Sequence, residues 1–338
     1  MRVLALFVAL FLTVPLFISS AQAFNIEEDH RAVRILAYQG IEPENSDDRY
    51  VSLAEFQEHL NLLKKENYNV LALQDVLSAY KKGATLPPRS VVMTFDGMHR
   101  SILTIAAPLL KQYQFPYTVL LSSPSRQVEN LNKKDIKKLK KQQLVDFGIA
   151  PFSGETEVTD IRRALNNTQA FYRDVFGEKA EIMAFHRGAY SRTHLDVLKQ
   201  YDFKVKFGEG QSVAYQRQNI WPRFKIFKAN ADVIQFERLL QSYPLPADEV
   251  TPVATIVESE HPAIGFTAKE GLNLDRLSCL ASGQESPQID VLGQRVELRL
   301  TQTLGDTPVQ IKCTLPVKDS DNFDIDRWRV WGMKLSKD

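Results

Sequence analysis

The residues best placed to do chemistry follow one short apolar run. Val91-Val92-Met93-Thr94-Phe95 ends in Asp96, and Gly97-Met98-His99-Arg100-Ser101 comes next. An apolar run of this length reads as a strand buried on both faces of an α/β sheet. A carboxylate at the C-terminal end of such a strand stands where these sheets gather their reactive groups. His99 lies three positions further on, and His186-Arg187-Gly188-Ala189-Tyr190 forms a second polar cluster. The remaining histidines attract less attention. His30 is close to the N-terminus, His59 and His194 read as helical, and His261 falls beyond the α/β pattern. The chain has no glycine-rich phosphate loop, no cysteine-rich zinc spacing, no internal repeat and no His-x-x-x-His.

Strands and helices must alternate for these residues to meet, and from about residue 30 to 247 they do. Tyr117 to Leu121 reads as a strand, and the stretches near Asp160 to Phe176 and near Arg192 to Tyr201 read as helices. The alternation predicts an α/β, barrel-like sheet. Pro244, Pro246 and Pro252, with Asp248-Glu249 among them, predict a linker. Beyond it the texture changes. Gln294-Arg295-Val296-Glu297-Leu298-Arg299-Leu300 alternates cleanly, as do Val309, Ile311, Cys313 and Leu315 against Gln310, Lys312 and Thr314. That period of two, without helical periodicity, predicts a small antiparallel β-sandwich over residues 250–338.

Around Asp96 the chain resembles the polysaccharide deacetylase (NodB-homology, carbohydrate esterase family 4) proteins. Their first motif is Thr-Phe-Asp-Asp-Gly followed by an aromatic, Arg and Ser; Thr94-Phe95-Asp96 and Arg100-Ser101 match it, with Gly97 in place of the second Asp. Upstream, Arg34 to Ile41 resembles the opening strand, Val51 to Leu60 the first helix, and Asn67 to Leu71 the turn and strand after it. Downstream, Gly148-Ile149-Ala150-Pro151-Phe152-Ser153-Gly154 resembles the second motif with both of its histidines replaced, by Ala150 and Gly154. Arg187-Gly188-Ala189-Tyr190 resembles the third motif, Arg-x-Pro-Tyr. Arg223 to Ile226 and Ile234 to Leu240 resemble the closing strand and helix. The late Leu-x-x-His motif has no match.

The resemblance covers roughly residues 30–247 and implies a NodB-like distorted (β/α) barrel ahead of the β-sandwich. It implies that Asp96 stands at the catalytic base, that Arg187 holds it ionised, and that the Tyr190 backbone N–H contributes to an oxyanion pocket. It also implies a divalent metal such as zinc, held by two His and one Asp, to activate water and polarise an acetamide carbonyl. The three aligned positions, Gly97, Ala150 and Gly154, carry no donor, so no metal is expected there. Asp96, Arg187, Tyr190, His99 and His186 are then the candidate sugar-binding residues. Three functions stay open: a catalytically impaired binder of an N-acetylated envelope polysaccharide, an active deacetylase using unaligned ligands such as His99 and His186, and a scaffold for a partner protein in polysaccharide export. For Asp96 and Arg187 a purely structural ion pair is the plain alternative.

The whole chain narrows the classes further. Its 338 residues, 44% hydrophobic and 25% charged, suit a globular protein with a real core. A net charge of +1 argues against nucleic acid as a partner. Arg2, the apolar stretch Val3 to Ile18 and Ala21-Gln22-Ala23 read as a secretory leader over residues 1–23, so a periplasmic or secreted protein with no membrane span after cleavage is expected. An uncleaved anchor is the alternative reading. Export permits disulfides, and Cys279 and Cys313, the only cysteines, both fall on inward strand faces. A bridge between them is expected, with two buried free thiols as the alternative. Trp328 and Trp331 have opposite strand parity, so at most one belongs to the core; the other is a candidate sugar platform. Lys133 to Lys141 reads as an amphipathic helix with a solvated basic face, or as a guide for an anionic polysaccharide or phospholipid headgroups. Asn166-Asn167-Thr168 is a glycosylation sequon by pattern, placed in a helical stretch.

Overall fold

The computed structural model describes residues 26–43, 47–122, 130–319 and 322–338. The leader expected over residues 1–23 lies outside the described residues. Among them, no helix is long and apolar enough to cross a membrane.

The first half is a curled parallel sheet wrapped by helices. Its first strand β1 (Ala32–Tyr38) is buried at every position, as a strand covered on both faces must be. A two-stranded pair, β2 (Ile41–Glu42) and β3 (Val51–Ser52), leads into helix α1 (Leu53–Lys65). Ser52 caps α1 with a reciprocal Glu55 bond, which satisfies N–H groups at its first turn. Strand β4 (Asn69–Val70), helix α2 (Leu73–Lys81) and strand β5 (Ser90–Asp96) follow. A π-helical turn, Ile102–Ala106, runs into α3 (Ala107–Tyr113). Then come β6 (Tyr117–Leu121), α4 (Lys133–Lys140), β7 (Val145–Ile149), α5 (Val158–Phe176), β8 (Ile182–Ala184), α6 (Arg192–Leu198) and β9 (Val205–Phe207).

The strands β1-β5-β6-β7-β8-β9 lie side by side, each pair parallel. On the other side of β1 sit β10 (Ala214–Tyr215), antiparallel, and β11 (Phe224–Lys225), parallel. The segment ahead of β11 also bonds to β9, through Trp221 N–H to Lys206 O and Gly208 N–H to Trp221 O. Residues 221–225 therefore span from the last strand back to the first, and the sheet curls into a half-barrel. Helix α7 (Val233–Leu240) covers its outside next to α1. Two cores result. One packs the sheet against the helices around Phe56, Phe95, Leu110 and Phe236. The other fills the inside of the curl around Val33, Val92, Val205 and Phe207.

The second half is all β. Strands β12 (Tyr243–Pro244) and β13 (Ala247–Thr251) occupy the stretch expected as a linker. They are followed by β14 (Ile256–Val257), β15 (Ile264–Ala268), β16 (Ser278–Ala281), β17 (Gln288–Leu292), β18 (Arg295–Arg299), β19 (Val309–Asp319) and β20 (Asn322–Lys337). One sheet runs β12-β20-β19-β16 with β14 on β20, the other β13-β15-β18-β17. Phe266, Val296, Ile311, Trp331 and Leu335 fill the space between them. Trp331 is buried and Trp328 exposed, as opposite parity requires. Cys279 and Cys313 are directly paired across β16 and β19 and are bonded as a disulfide. Ile26 packs into this second core, so the start of the described chain is fastened to its end.

Candidate functional site

Asp96 ends β5 with its carboxylate at the C-terminal rim of the half-barrel. Its side chain is 26% exposed, and its cation is Arg223, whose side chain is 0% exposed. The pair is bidentate, Arg223 Nη1 to Asp96 Oδ1 at 2.5 Å and Nη2 to Oδ2 at 2.9 Å. This fork-on-carboxylate geometry is the strongest form of side-chain ion pair. Arg223 also donates to Thr94 Oγ1 at 3.2 Å and, through Nε, to Gly208 O at 3.3 Å. Its guanidinium lies over the Phe207 ring, 5.1 Å from the centroid. The register explains its direction. Phe224 faces the helix-side core, so alternation sends Arg223 to the opposite face, beneath Asp96.

Arg187 is therefore not the partner of Asp96, contrary to what the third motif implied. It lies in a turn, His186–Gly188, with φ +50, and its backbone carbonyl accepts from Lys334 Nζ at 3.2 Å. Its exposed side chain has no ion pair with Asp96. The place of that guanidinium is already filled from the opposite side of the curl, by Arg223.

Tyr190 also departs from expectation. Its backbone N–H donates to Thr255 Oγ1 at 2.9 Å, and its carbonyl accepts from the N–H groups of Thr255 and Ile256. The all-β half docks on this backbone and takes the donor that an oxyanion pocket would need. Burial raises the Tyr190 phenol to about 12, so the side chain stays neutral.

The two candidate histidines stand apart. His99 Nδ1 is 2.7 Å from Ser101 Oγ, and its ring stacks on Tyr50 at 4.7 Å. Ser101 Oγ itself accepts from Ile41 N–H, which leaves its own proton for His99. His186 is exposed on the turn beside Arg187. Desolvation and then the Arg187 charge lower its pKa, so it is neutral at neutral pH.

The positions aligned with the family's metal ligands are Gly97 after β5, and Ala150 and Gly154 after β7. Gly97 has φ +87 with open space around it, a backbone that suits glycine. Glu155, one of two carboxylates in the second-motif loop with Glu157, accepts from Ser153 N–H, Ser153 Oγ and Gly154 N–H. Burial works against its ionisation, but these bonds outweigh it and lower its pKa. Among the described residues no group of three His, Cys, Asp or Glu side chains is arranged to hold a metal ion. The residues present do not fit the divalent metal of the family.

A cleft of about 470 Å³ opens away from Asp96, at the seam between the outer side of β9 and the all-β half. Neither it nor Arg223 is marked in the sequence as a site residue. Arg223 had one signal, its place at the head of the segment resembling the family's closing strand.

Comparison with known proteins agrees with this layout. Residues 83–206 match the family model described as polysaccharide deacetylase. The poly-beta-1,6-N-acetyl-D-glucosamine N-deacetylase of Staphylococcus aureus (strain MSSA476) is 27% identical over 176 residues, which cover 46% of this chain and 60% of the relative. This chain thus spans less than two thirds of that relative. Two solved structures share the fold. The Streptococcus pyogenes deacetylase PplD in complex with acetate has a TM-score of 0.55 at 18% identity, over 62% of this chain and 98% of its own. IcaB from Ammonifex degensii has a TM-score of 0.53 at 18% identity, over 61% and 96%. With the curled sheet and the Thr94-Phe95-Asp96 strand end in place, residues 83–206 carry a domain of the polysaccharide deacetylase family.

Proposed function

We propose that this protein is exported and binds an N-acetylated exopolysaccharide at the rim of its deacetylase-like half-barrel, without hydrolysing it. One observation carries the reading: Asp96 is clamped at both oxygens by Arg223, while Gly97, Ala150 and Gly154 offer no donor beside it. Hydrolysis of an acetamide needs an activated water and a group that polarises the carbonyl. The rim retains Asp96 as an acceptor for sugar hydroxyls, with His186 and Arg187 exposed next to each other as donors. The substrate named for the S. aureus relative, poly-β-1,6-N-acetylglucosamine, is the polymer to try first. The leader over residues 1–23 would deliver the chain to the envelope, and the all-β half would present a surface to a partner there.

The test uses the purified chain and oligomers of β-1,6-N-acetylglucosamine. Binding is measured calorimetrically with and without a chelator, and acetate release is followed after incubation with zinc, cobalt or nickel. Binding that is indifferent to the chelator, with acetate release no greater than in Asp96→Asn, is expected. Acetate release that needs a metal and disappears in Asp96→Asn would overturn the reading in favour of an active deacetylase.

A further inference from the structure

We propose that the seam cleft between β9 and the all-β half is a second ligand site, and that it takes a carboxylated oligosaccharide. The cleft, about 470 Å³, is of a size that holds one to two sugar rings. Its most telling residue is Lys206. Val205 and Phe207 are buried inside the curl, so alternation along β9 sends Lys206 to the outer face. There it lines the cleft, half-buried, and among the described residues no carboxylate lies within ion-pair distance of its ammonium. A partly desolvated, unpaired cation is costly unless an anion joins it, and burial lowers the Lys206 pKa accordingly.

The rest of the wall suits a sugar. Arg217 and Asn219 are exposed along one side, a cation and an amide for carboxylate and hydroxyl groups. Ile220, Pro222 and the exposed Val253 offer apolar surface for the C–H face of a ring. The acidic groups in the lining do not match Lys206. Glu209 is paired with Lys334, and Asp248 and Glu249 are both exposed to solvent, Glu249 accepting from the Thr267 hydroxyl. The cleft is lined by Tyr190 but by neither Asp96, Arg187 nor His186, so it is a different opening from the half-barrel rim.

The experiment is calorimetric titration of the full chain with trigalacturonate and, separately, with neutral chitotriose. Trigalacturonate is expected to bind and to weaken as salt rises. Lys206→Met should weaken it by about tenfold or more and Lys206→Arg should restore most of the loss. Arg217→Ala, at an exposed position that folding does not need, should weaken it about threefold. If Lys206→Met fails to fold, Lys206→Arg and Arg217→Ala decide. The proposal is overturned if trigalacturonate does not bind at millimolar concentration, if chitotriose binds as tightly and is weakened by the same Lys206 and Arg217 substitutions, or if both cation variants bind as the parent does. Chitotriose binding that ignores Lys206 and Arg217 reports on the rim and leaves the two sites distinguishable.

Discussion

Arg223 keeps none of its side chain in solvent, whereas Asp96 keeps about a quarter. The pair is therefore unequal in what each partner leaves behind when removed. Asp96→Ala strands a guanidinium with no water to solvate it, a loss of about 3–5 kcal/mol for a buried ion pair. Arg223→Met leaves a carboxylate that water still reaches, and an expected loss of about 1–3 kcal/mol. Urea unfolding of both variants checks the order; equal losses, or a larger one for Arg223→Met, would refute this account of the site. The same asymmetry explains what could be read beforehand. Asp96 is visible because an apolar strand stops at it. Arg223 looks like one more cation on a short strand. Its role depends on β11 crossing back beside β1, and that closes a gap of 127 residues that no local pattern reports.

At the scale of elements, α1 and α7 meet at a titratable group. His59 of α1 stacks on Phe236 of α7 with centroids 3.8 Å apart. Its Nε2 donates to Ala231 O at 2.7 Å, and its Nδ1 accepts from the Tyr38 hydroxyl at 3.1 Å. The neutral ring thus uses both of its nitrogens. Burial lowers its pKa to about 4 from 6.5 despite the opposing pull of the Ala231 carbonyl. Between those values the unfolded chain holds a proton that the folded chain refuses. Stability from this group is thus complete above pH 6.5 and is lost as pH falls toward 4, by up to about 3 kcal/mol. His186 and His194 are shifted in the same direction, so the comparison is with His59→Gln, which keeps a donor for Ala231. The gap in acid sensitivity between the two proteins over pH 4 to 7 measures it, and parallel curves would exclude His59. A second element-scale prediction concerns β16 and β19. Their disulfide closes a separation of 34 residues. Replacing both cysteines with Ala should cost about 3–4 kcal/mol by loop entropy, read from urea unfolding of the oxidised parent. A loss below 1 kcal/mol would show that the paired strands hold without it. Periodicity made β18 and β19 legible. It failed at β12 and β13, where prolines suggested a linker. Pro244 is tolerated in β12 because, among the described residues, that strand pairs with β20 alone and lies at the edge of its sheet.

At the scale of the molecule, the half-barrel and the all-β half are locked along β20. Arg329 forms a bidentate pair with Asp29, both bonds at 2.7 Å, and Lys334 reaches Glu209 and the Arg187 carbonyl. Between these contacts two glycines let the backbones touch. A Cβ on Gly332 would lie 1.9 Å from Gly210 O, and a Cβ on Gly210 would lie 2.8 Å from Gly332 O. Neither neighbour is a side chain that can swing away, so a methyl group at 332 must push the two halves apart. The segment so displaced carries Trp331 and Met333 into the wall of the seam cleft, and on its barrel side it leads through Gly208 to Arg223. Gly332→Ala is therefore expected to lower stability by at least about 1–3 kcal/mol and to broaden or split the thermal transition as the halves uncouple. Gly305→Ala is the control, since a Cβ there meets nothing within 4 Å. It should stay within about 0.5 kcal/mol of the parent. Scanning calorimetry of the two variants separates a tight seam from a loose one: if Gly332→Ala melts like Gly305→Ala, the halves are not held in contact at this point, and the shape of the cleft between them is not fixed by the fold.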